Sequence, residues 1–144
     1  MDGTRKNRYL DKISNLKKYY SLLHEWINDS NFDDLNKNGD YREVFAIYHA
    51  AQLSIEVISD LCAMLVKDLQ QNPKDNYSNF EKLHLVKIIT ADMYQALKEL
   101  NGLRNRIVHD YNGLIDEIAW SSISKNLLFI GEFYKVVESW LKKQ

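Results

Sequence analysis

The chain has 144 residues, a net charge of −1 and a hydrophobic content of 45%. This content is enough to build a folded core, and the length predicts a single domain that spans residues 1–144. The near-neutral charge excludes a broad basic surface that would coat nucleic acid without regard to sequence, although it permits a locally basic cleft. The single cysteine, Cys62, excludes an intrachain disulfide, and its place on an apolar helical stripe predicts core packing.

No uninterrupted apolar run approaches the roughly 18 residues that a membrane helix needs. The first six residues are polar and contain no signal-peptide core. We therefore expect a cytoplasmic protein that makes no membrane contact.

Apolar residues recur at three- and four-residue spacing in four long segments, which predicts four amphipathic helices. These segments run from about residue 4 to 27, 40 to 69, 92 to 108 and 116 to 141. A shorter helix is expected from Ser78 to about Ile89, and the polar segment 28–39 is expected to be a loop. The predicted N-terminal caps are Thr4, Asp40 with Glu43, Ser78 with Glu81, Thr90 to Asp92, and Asp116. No strand pattern alternates, so the sequence predicts an all-α fold, an antiparallel bundle of four long helices plus one short helix.

The richest chemistry lies at the end of the third long segment, from Arg104 to Tyr111. Arg104 or Arg106 can bind a phosphate through a planar fork of donors. His109 can accept or donate a proton, because histidine is the side chain whose ordinary pKa lies nearest neutrality. Asn105 can orient a phosphate oxygen or the imidazole, and Tyr111 adds a hydroxyl. A cation beside a proton carrier, with no evident metal ligands, is what metal-free cleavage of RNA through its ribose 2′-OH requires.

The same residues also fit an ordinary helix C-terminus, where arginine and histidine complement the helix dipole. The spacing adds a further constraint, since five residues rotate by about 500° and place Arg104 and His109 about 140° apart. Either the helix distorts near Val108, or the Arg104 side chain wraps round, or the two groups act from different subunits. A two-fold dimer would also supply the second proton carrier that transesterification needs.

The pattern Arg104-x4-His109-x-Tyr111 resembles the R-x4-H-x-Y motif of the HepT toxins in the HEPN superfamily. Residues 45–56 resemble the family's long second helix, and residues 100–106 resemble its run into the motif. The resemblance implies a helical homodimer with a shared ribonuclease cleft that uses no metal or other cofactor. It also implies a type VII-like toxin–antitoxin pair with a nucleotidyltransferase antitoxin of the MntA type.

Carried over to this chain, the resemblance gives each motif residue a role. Arg104 would stabilise the phosphorane charge, His109 would act as general acid or base, and Asn105 would help to orient the phosphate. Tyr111 matches the tyrosine that the antitoxin modifies with AMP, and the added phosphate would repel RNA. Arg106 and Asp110 stand at variable positions of the pattern and are expected to be surface charges.

Other polar residues have simpler interpretations. Glu56 falls on a polar side of its helix, where exposure to solvent is expected rather than contact with the motif. Gly102 suggests close approach of another helix, either within the chain or at a dimer interface. The remaining histidines, which lie in separate helices without carboxylates or thiols at ligand spacing, do not predict a metal site; they are His24, His49 and His84.

Three functions therefore remain open from the sequence. The leading hypothesis is a ribonuclease toxin that cuts single-stranded RNA and is neutralised by modification of Tyr111. The second is a non-catalytic helical module that binds a nucleotidyltransferase partner. The third is a structural dimer in which Arg104 and His109 matter only for stability.

Overall fold

The computed structural model describes residues 1–109 and 117–144, which form six α-helices and no strand. Their bounds are α1 Gly3–Asn28, α2 Phe32–Asn38, α3 Tyr41–Asp68, α4 Asn76–Leu85, α5 Ala91–His109 and α6 Glu117–Lys142. The predicted all-α class is confirmed, as are the approximate positions of the four long helices. The described residues contain two short helices, however, where the sequence predicted one.

The helix missed by the sequence is α2, which occupies most of the segment that was expected to be a loop. The Asn31 side chain accepts a hydrogen bond from the backbone N–H of Asp34 at 3.2 Å and begins the helix. Gly39 ends it in the left-handed conformation, with φ of 69°. Only Leu35 is buried. With one apolar anchor there is no periodic stripe to detect, and the polar residues that suggested a loop include the helix caps.

Two of the predicted N-caps were wrong by a few residues. In α1 the cap is Asp2, whose carboxylate accepts from Arg5 N at 2.8 Å, and Thr4 lies inside the helix. In α4 the cap is Asp75, which accepts from Ser78 N at 2.9 Å. In both cases an aspartate two or three residues earlier forms the cap, and aspartate caps as well as serine or threonine does.

The other described caps agree better with the sequence. Asp40 is the N-cap residue of α3, but its side chain makes no capping hydrogen bond, so the box expected with Glu43 does not form. The predicted break before α5 is confirmed, because Thr90 Oγ1 accepts from Met93 N at 3.1 Å. The expected cap at Asp116 lies outside the described residues.

Helix α1 runs antiparallel to both α3 and α6. As α1 advances from Arg5 to Lys12, its ion pairs move back along α3 from Asp68 to Asp60. As α1 advances from Tyr9 to Tyr20, its ring contacts move back along α6 from Trp140 to Tyr134. The ion pairs are Arg5–Asp68, Lys12–Asp60 and Lys17–Glu138, each at 2.9 Å. The antiparallel arrangement expected from the sequence is thus confirmed for these helices.

Helix α3 forms the centre of the fold and packs against the five other helices. Cys62 on α3 is fully buried, as predicted, and burial raises the pKa of its thiol. By length and composition alone α3 is also long and apolar enough to cross a membrane, the one such helix in the described part of the chain. Since 56% of that apolar window is buried by the rest of the fold, we describe α3 as a core helix.

Close helix approach occurs at Gly131 rather than at Gly102. A Cβ atom at Gly131 on α6 would lie 2.7 Å from Cζ of Tyr20 on α1, so any larger residue would force the Tyr20 ring to move. A Cβ atom at Gly102 would meet Tyr77 Oη at 3.8 Å, which is an ordinary contact. Within the described residues of one chain Gly102 thus meets its neighbour at an ordinary distance, and a close approach across a dimer interface stays a prediction.

A cluster of polar side chains links the start of α1 to the end of α3 through hydrogen bonds. Asp68 Oδ2 accepts hydrogen bonds from the Tyr9 hydroxyl at 2.6 Å and from Arg5 Nε at 2.9 Å, and Arg5 Nη2 donates to the Met64 carbonyl. Burial and the bond to Asp68 together raise the pKa of Tyr9. The fold thus holds Tyr9 as a neutral donor to a carboxylate.

Tyr9→Phe should lower the free energy of unfolding by about 1.5 kcal/mol at pH 7, because it removes a donor to a charged, half-buried acceptor. Chemical denaturation would measure the change. Lys12→Ala breaks an ion pair of the same two helices whose acceptor, Asp60, is mostly exposed. It should cost at most about 1 kcal/mol.

The advantage of wild type over Tyr9→Phe should also depend on pH. Because the folded-state pKa of Tyr9 is raised above its ordinary value of 10.0, the unfolded chain ionises first. The stabilisation is fully present below pH 10 and declines as the pH rises above it. Equal stability of the two proteins at neutral pH would contradict a stabilising role for this hydroxyl.

Candidate active site

Helix α5 places Arg104 at the boundary between core and surface. The preceding residue, Leu103, is buried on the stripe that also contains Leu97 and Leu100. Arg104 lies one position further round the helix, and its side chain is 31% exposed. The stripe therefore fixes the direction of Arg104, which points along the surface toward α3.

Arg104 is held by a hydrogen-bonded chain that the sequence did not predict. Its Nη2 donates to Oε1 of Glu56 on α3 at 3.2 Å, and Gln52 Nε2 donates to the same oxygen at 3.2 Å. Arg104 Nη1 also donates to Oδ1 of the neighbouring Asn105 at 3.4 Å. The expectation that Glu56 only faces solvent was therefore wrong, because its carboxylate forms an ion pair with the motif.

The physical reason for this error is that polarity on a helix face does not distinguish water from a charged neighbour. Gln52 and Glu56 are four residues apart and share one face of α3. The contact could have been anticipated because Gln52 and Glu56 lie on a helix that otherwise packs in the core, with Ile55 and Ile58 buried. A polar pair on a core helix requires partners, and an arginine on another helix is a suitable one.

His109 is exposed and is the last described residue of α5. Helix α5 is continuous from Ala91 to His109, so the distortion considered near Val108 does not occur. Arg104 and His109 thus remain about 140° apart on the helix. Asn105, four residues before His109, shares its face. Within the described residues the fold brings Arg104 together with Glu56 and Asn105, and it does not bring Arg104 into contact with His109.

The remaining motif residues divide into two groups. Arg106 is exposed, as predicted, and lines a shallow pocket between α5 and α6 with Glu99 and Lys125. Hydrogen bonds from Asn126 and then from Lys125 lower the pKa of Glu99. The predictions for Tyr111 and for Asp110 fall on residues outside the described ranges.

The histidines outside the motif are spread over three helices, α1, α3 and α4. In the described portions, no three side chains among histidine, cysteine, aspartate and glutamate lie close enough together to hold a metal ion. The chemistry offered by the motif region is instead that of a fixed guanidinium, an amide and an exposed imidazole.

Residues 15–138 match the family model for ribonuclease HepT-like proteins. Two proteins of Archaeoglobus fulgidus, each provisionally described as an RNase, are 34% and 32% identical to the chain over 139 residues. These alignments cover 96% of this chain and 97% and 94% of the relatives. A provisionally described RNase of Methanocaldococcus jannaschii is 43% identical over 65 residues, which are 45% of this chain and 75% of that protein.

Solved structures share the fold at lower identity. A tri-AMPylated HEPN toxin of Shewanella oneidensis, in complex with an MNT antitoxin, superposes with a TM-score of 0.80 at 21% identity. The match covers 96% of this chain and 99% of the toxin chain. A toxin–antitoxin crystal structure with AMP-PNP gives a TM-score of 0.77 at 21% identity, over 95% of this chain and 99% of that one. The chain therefore belongs to the HepT-like ribonuclease family and has the fold of the HEPN toxins.

Proposed function

We propose that this chain is a metal-independent endoribonuclease that acts on single-stranded RNA, the toxin of a two-gene toxin–antitoxin pair. The observation that carries the proposal is the arrangement of the motif. Arg104 is half-buried and held by an ion pair, and His109 is exposed five residues later on the same helix. Membership of a ribonuclease family supports the reaction class.

In the proposed reaction the ribose 2′-OH attacks the adjacent phosphorus, and the bond from phosphorus to the 5′ oxygen breaks. One imidazole accepts the 2′-OH proton and another protonates the departing 5′ oxygen. Arg104 stabilises the charge of the phosphorane, and Asn105 orients a phosphate oxygen. The products are a 2′,3′-cyclic phosphate and a 5′-OH. Single-stranded RNA is the preferred substrate because there the 2′-OH is free to align with the phosphate.

The proposed cleft requires two copies of the chain. Each copy supplies one motif histidine, whereas the reaction needs two proton transfers. Arg104 and His109 also face different sides of α5. A homodimer about a two-fold axis would place Arg104 of each copy near His109 of the other. In this proposal residues 1–144 form one domain, and the dimer acts in the cytoplasm.

We further propose a nucleotidyltransferase antitoxin of the MntA type as the partner. The similar solved structures include a HEPN toxin that carries AMP and is bound to an MNT antitoxin. Another is of an MntA-containing toxin–antitoxin pair carrying a mutation of a tyrosine. In this chain we assign the modified position to Tyr111, two residues after His109 in the pattern that resembles R-x4-H-x-Y. A phosphate attached there would repel RNA and obstruct the cleft.

Purified wild type should cleave labelled single-stranded RNA in EDTA and leave a cyclic phosphate. His109→Ala should lower the rate by about 10²-fold or more, because it removes proton transfer. Arg104→Ala should lower it by about 10²- to 10³-fold, because it removes charge stabilisation. The measurement is single-turnover cleavage with end-group analysis of the products.

Two control variants match these changes. His24→Ala replaces another exposed histidine, and Arg5→Ala removes another arginine paired with a carboxylate on α3. Both should keep cleavage, provided that folding is verified by circular dichroism. Equal cleavage of DNA, or loss of activity in EDTA, would contradict the mechanism. If wild type cleaves no RNA, a binding module for a nucleotidyltransferase becomes the better description.

Mixed dimers of wild type with inactive His109→Ala should show little or no cleavage after subunit exchange, because each mixed dimer holds only one of the two imidazoles that the reaction requires. Differently tagged chains would confirm that mixed dimers form. Cleavage by verified mixed dimers at about half of the wild-type rate would contradict an active site that needs a histidine from each subunit.

Tyr111→Phe should cleave RNA at a rate close to that of wild type but should resist inactivation by an MntA-type nucleotidyltransferase with ATP. The ring is retained, and only the hydroxyl that would receive AMP is lost. Mass spectrometry would locate the modification on wild type. Inactivation of the Tyr111→Phe variant to the same extent would exclude Tyr111 as the regulated residue.

A further inference from the structure

We propose that Glu56 is a positioning residue for the reaction. Glu56 orients the Arg104 guanidinium, and Gln52 in turn orients Glu56. The inference rests on the proposed ribonuclease function and extends it to a residue of α3, 48 positions before Arg104. It requires that Glu56 act through Arg104 and not touch the RNA itself.

The contacts form a continuous series of hydrogen bonds from α3 to the motif. Glu56 Oε1 accepts from Arg104 Nη2 and from Gln52 Nε2, both at 3.2 Å. Two donors from different helices therefore converge on one carboxylate oxygen. The Glu56 side chain is 38% exposed, so the contact lies at the edge of the core, where an RNA phosphate can approach Arg104.

Both ends of this series of hydrogen bonds lie on packed helices. On α3 the neighbours Ser54, Ile55 and Ile58 are buried, and on α5 the neighbour Leu103 is buried. A contact between two packed helices fixes the guanidinium relative to the whole fold, whereas an unpaired arginine samples many rotamers. Preorganisation of this kind is what a charge-stabilising group needs, because disorder must otherwise be removed during the reaction.

The ion pair leaves Arg104 able to bind a phosphate. A guanidinium has five N–H donors, and the contacts with Glu56 and Asn105 use two of them. Within the described ranges, three donors therefore remain for a ligand. The Arg5–Asp68 pair differs, because both side chains are only about 20% exposed and Arg5 also donates to the Met64 carbonyl. The pair at Arg5 is closed and structural, whereas the pair at Arg104 is open toward solvent.

A test should separate positioning from general stability. Glu56→Ala should lower kcat for RNA cleavage by about 10- to 100-fold, as expected when a catalytic group is displaced by about an ångström. KM should change much less, and the pH profile should keep its shape because His109 is intact. Glu56→Gln retains an acceptor oxygen and should recover part of the lost rate.

The deciding measurement is a double-mutant cycle. If Glu56 acts through Arg104, Glu56→Ala should cause no further loss in an Arg104→Ala background. Asp60→Ala is the matched control, since Asp60 lies one turn further along α3 and pairs with Lys12 at 2.9 Å. It should leave kcat unchanged, and thermal melts should show that every variant is folded.

The outcomes distinguish the two proposals. Wild-type rates for Glu56→Ala, faster cleavage, or an equal loss in the Arg104→Ala background would overturn the positioning role while the ribonuclease function stands. Wild-type activity of Arg104→Ala, or no cleavage by wild type, would reject the proposed function and the positioning role together.

Discussion

Burial of α3 among the five other helices is the constraint on which the rest of the structure depends. Its apolar residues face α1 on one side and α4, α5 and α6 on others, so most of its circumference is occupied. The side chains of α3 determine how the helices that pack on it are aligned along it. Arg104 is positioned in this way, since Leu103 packs in the core and leaves the next residue directed along the surface of α3.

A core helix that carries polar residues must provide them with partners, and here each partner lies nearby. Ser54 Oγ donates to the Ala50 carbonyl at 2.8 Å, so its burial leaves no unmade hydrogen bond. Buried Asn101 on α5 accepts from Asn76 on α4 at 3.0 Å. The Glu56 carboxylate is satisfied by Gln52 and Arg104 in the same manner. Polar contacts of this type specify which helix faces meet, whereas apolar contacts mainly drive them together.

The sequence predicted what periodicity can report and missed what depends on distant neighbours. The stripes of α1, α3, α5 and α6 located the long helices, and the break at Thr90 was found from its cap. Short α2 was missed because one buried leucine makes no stripe. Glu56 was misread because its partner lies on another helix, and no local pattern states which charged group a polar face will meet. The 140° separation of Arg104 and His109 could be calculated in advance, because it needs only that α5 stay regular, which it does as far as His109.

That separation fits the different demands that the proposed reaction makes on its two main groups. A guanidinium that stabilises developing charge is most effective when it is fixed before the substrate arrives, and Arg104 is held by two side chains at the edge of the core. A proton carrier must instead approach a ribose hydroxyl or a leaving oxygen, and His109 is exposed at the end of its helix. A regular helix directs residues five positions apart to different sides, so a cleft within one chain would need the long Arg104 side chain to reach round the helix. In the proposed dimer, a second copy of the chain across a two-fold axis would complete the cleft without distorting either helix.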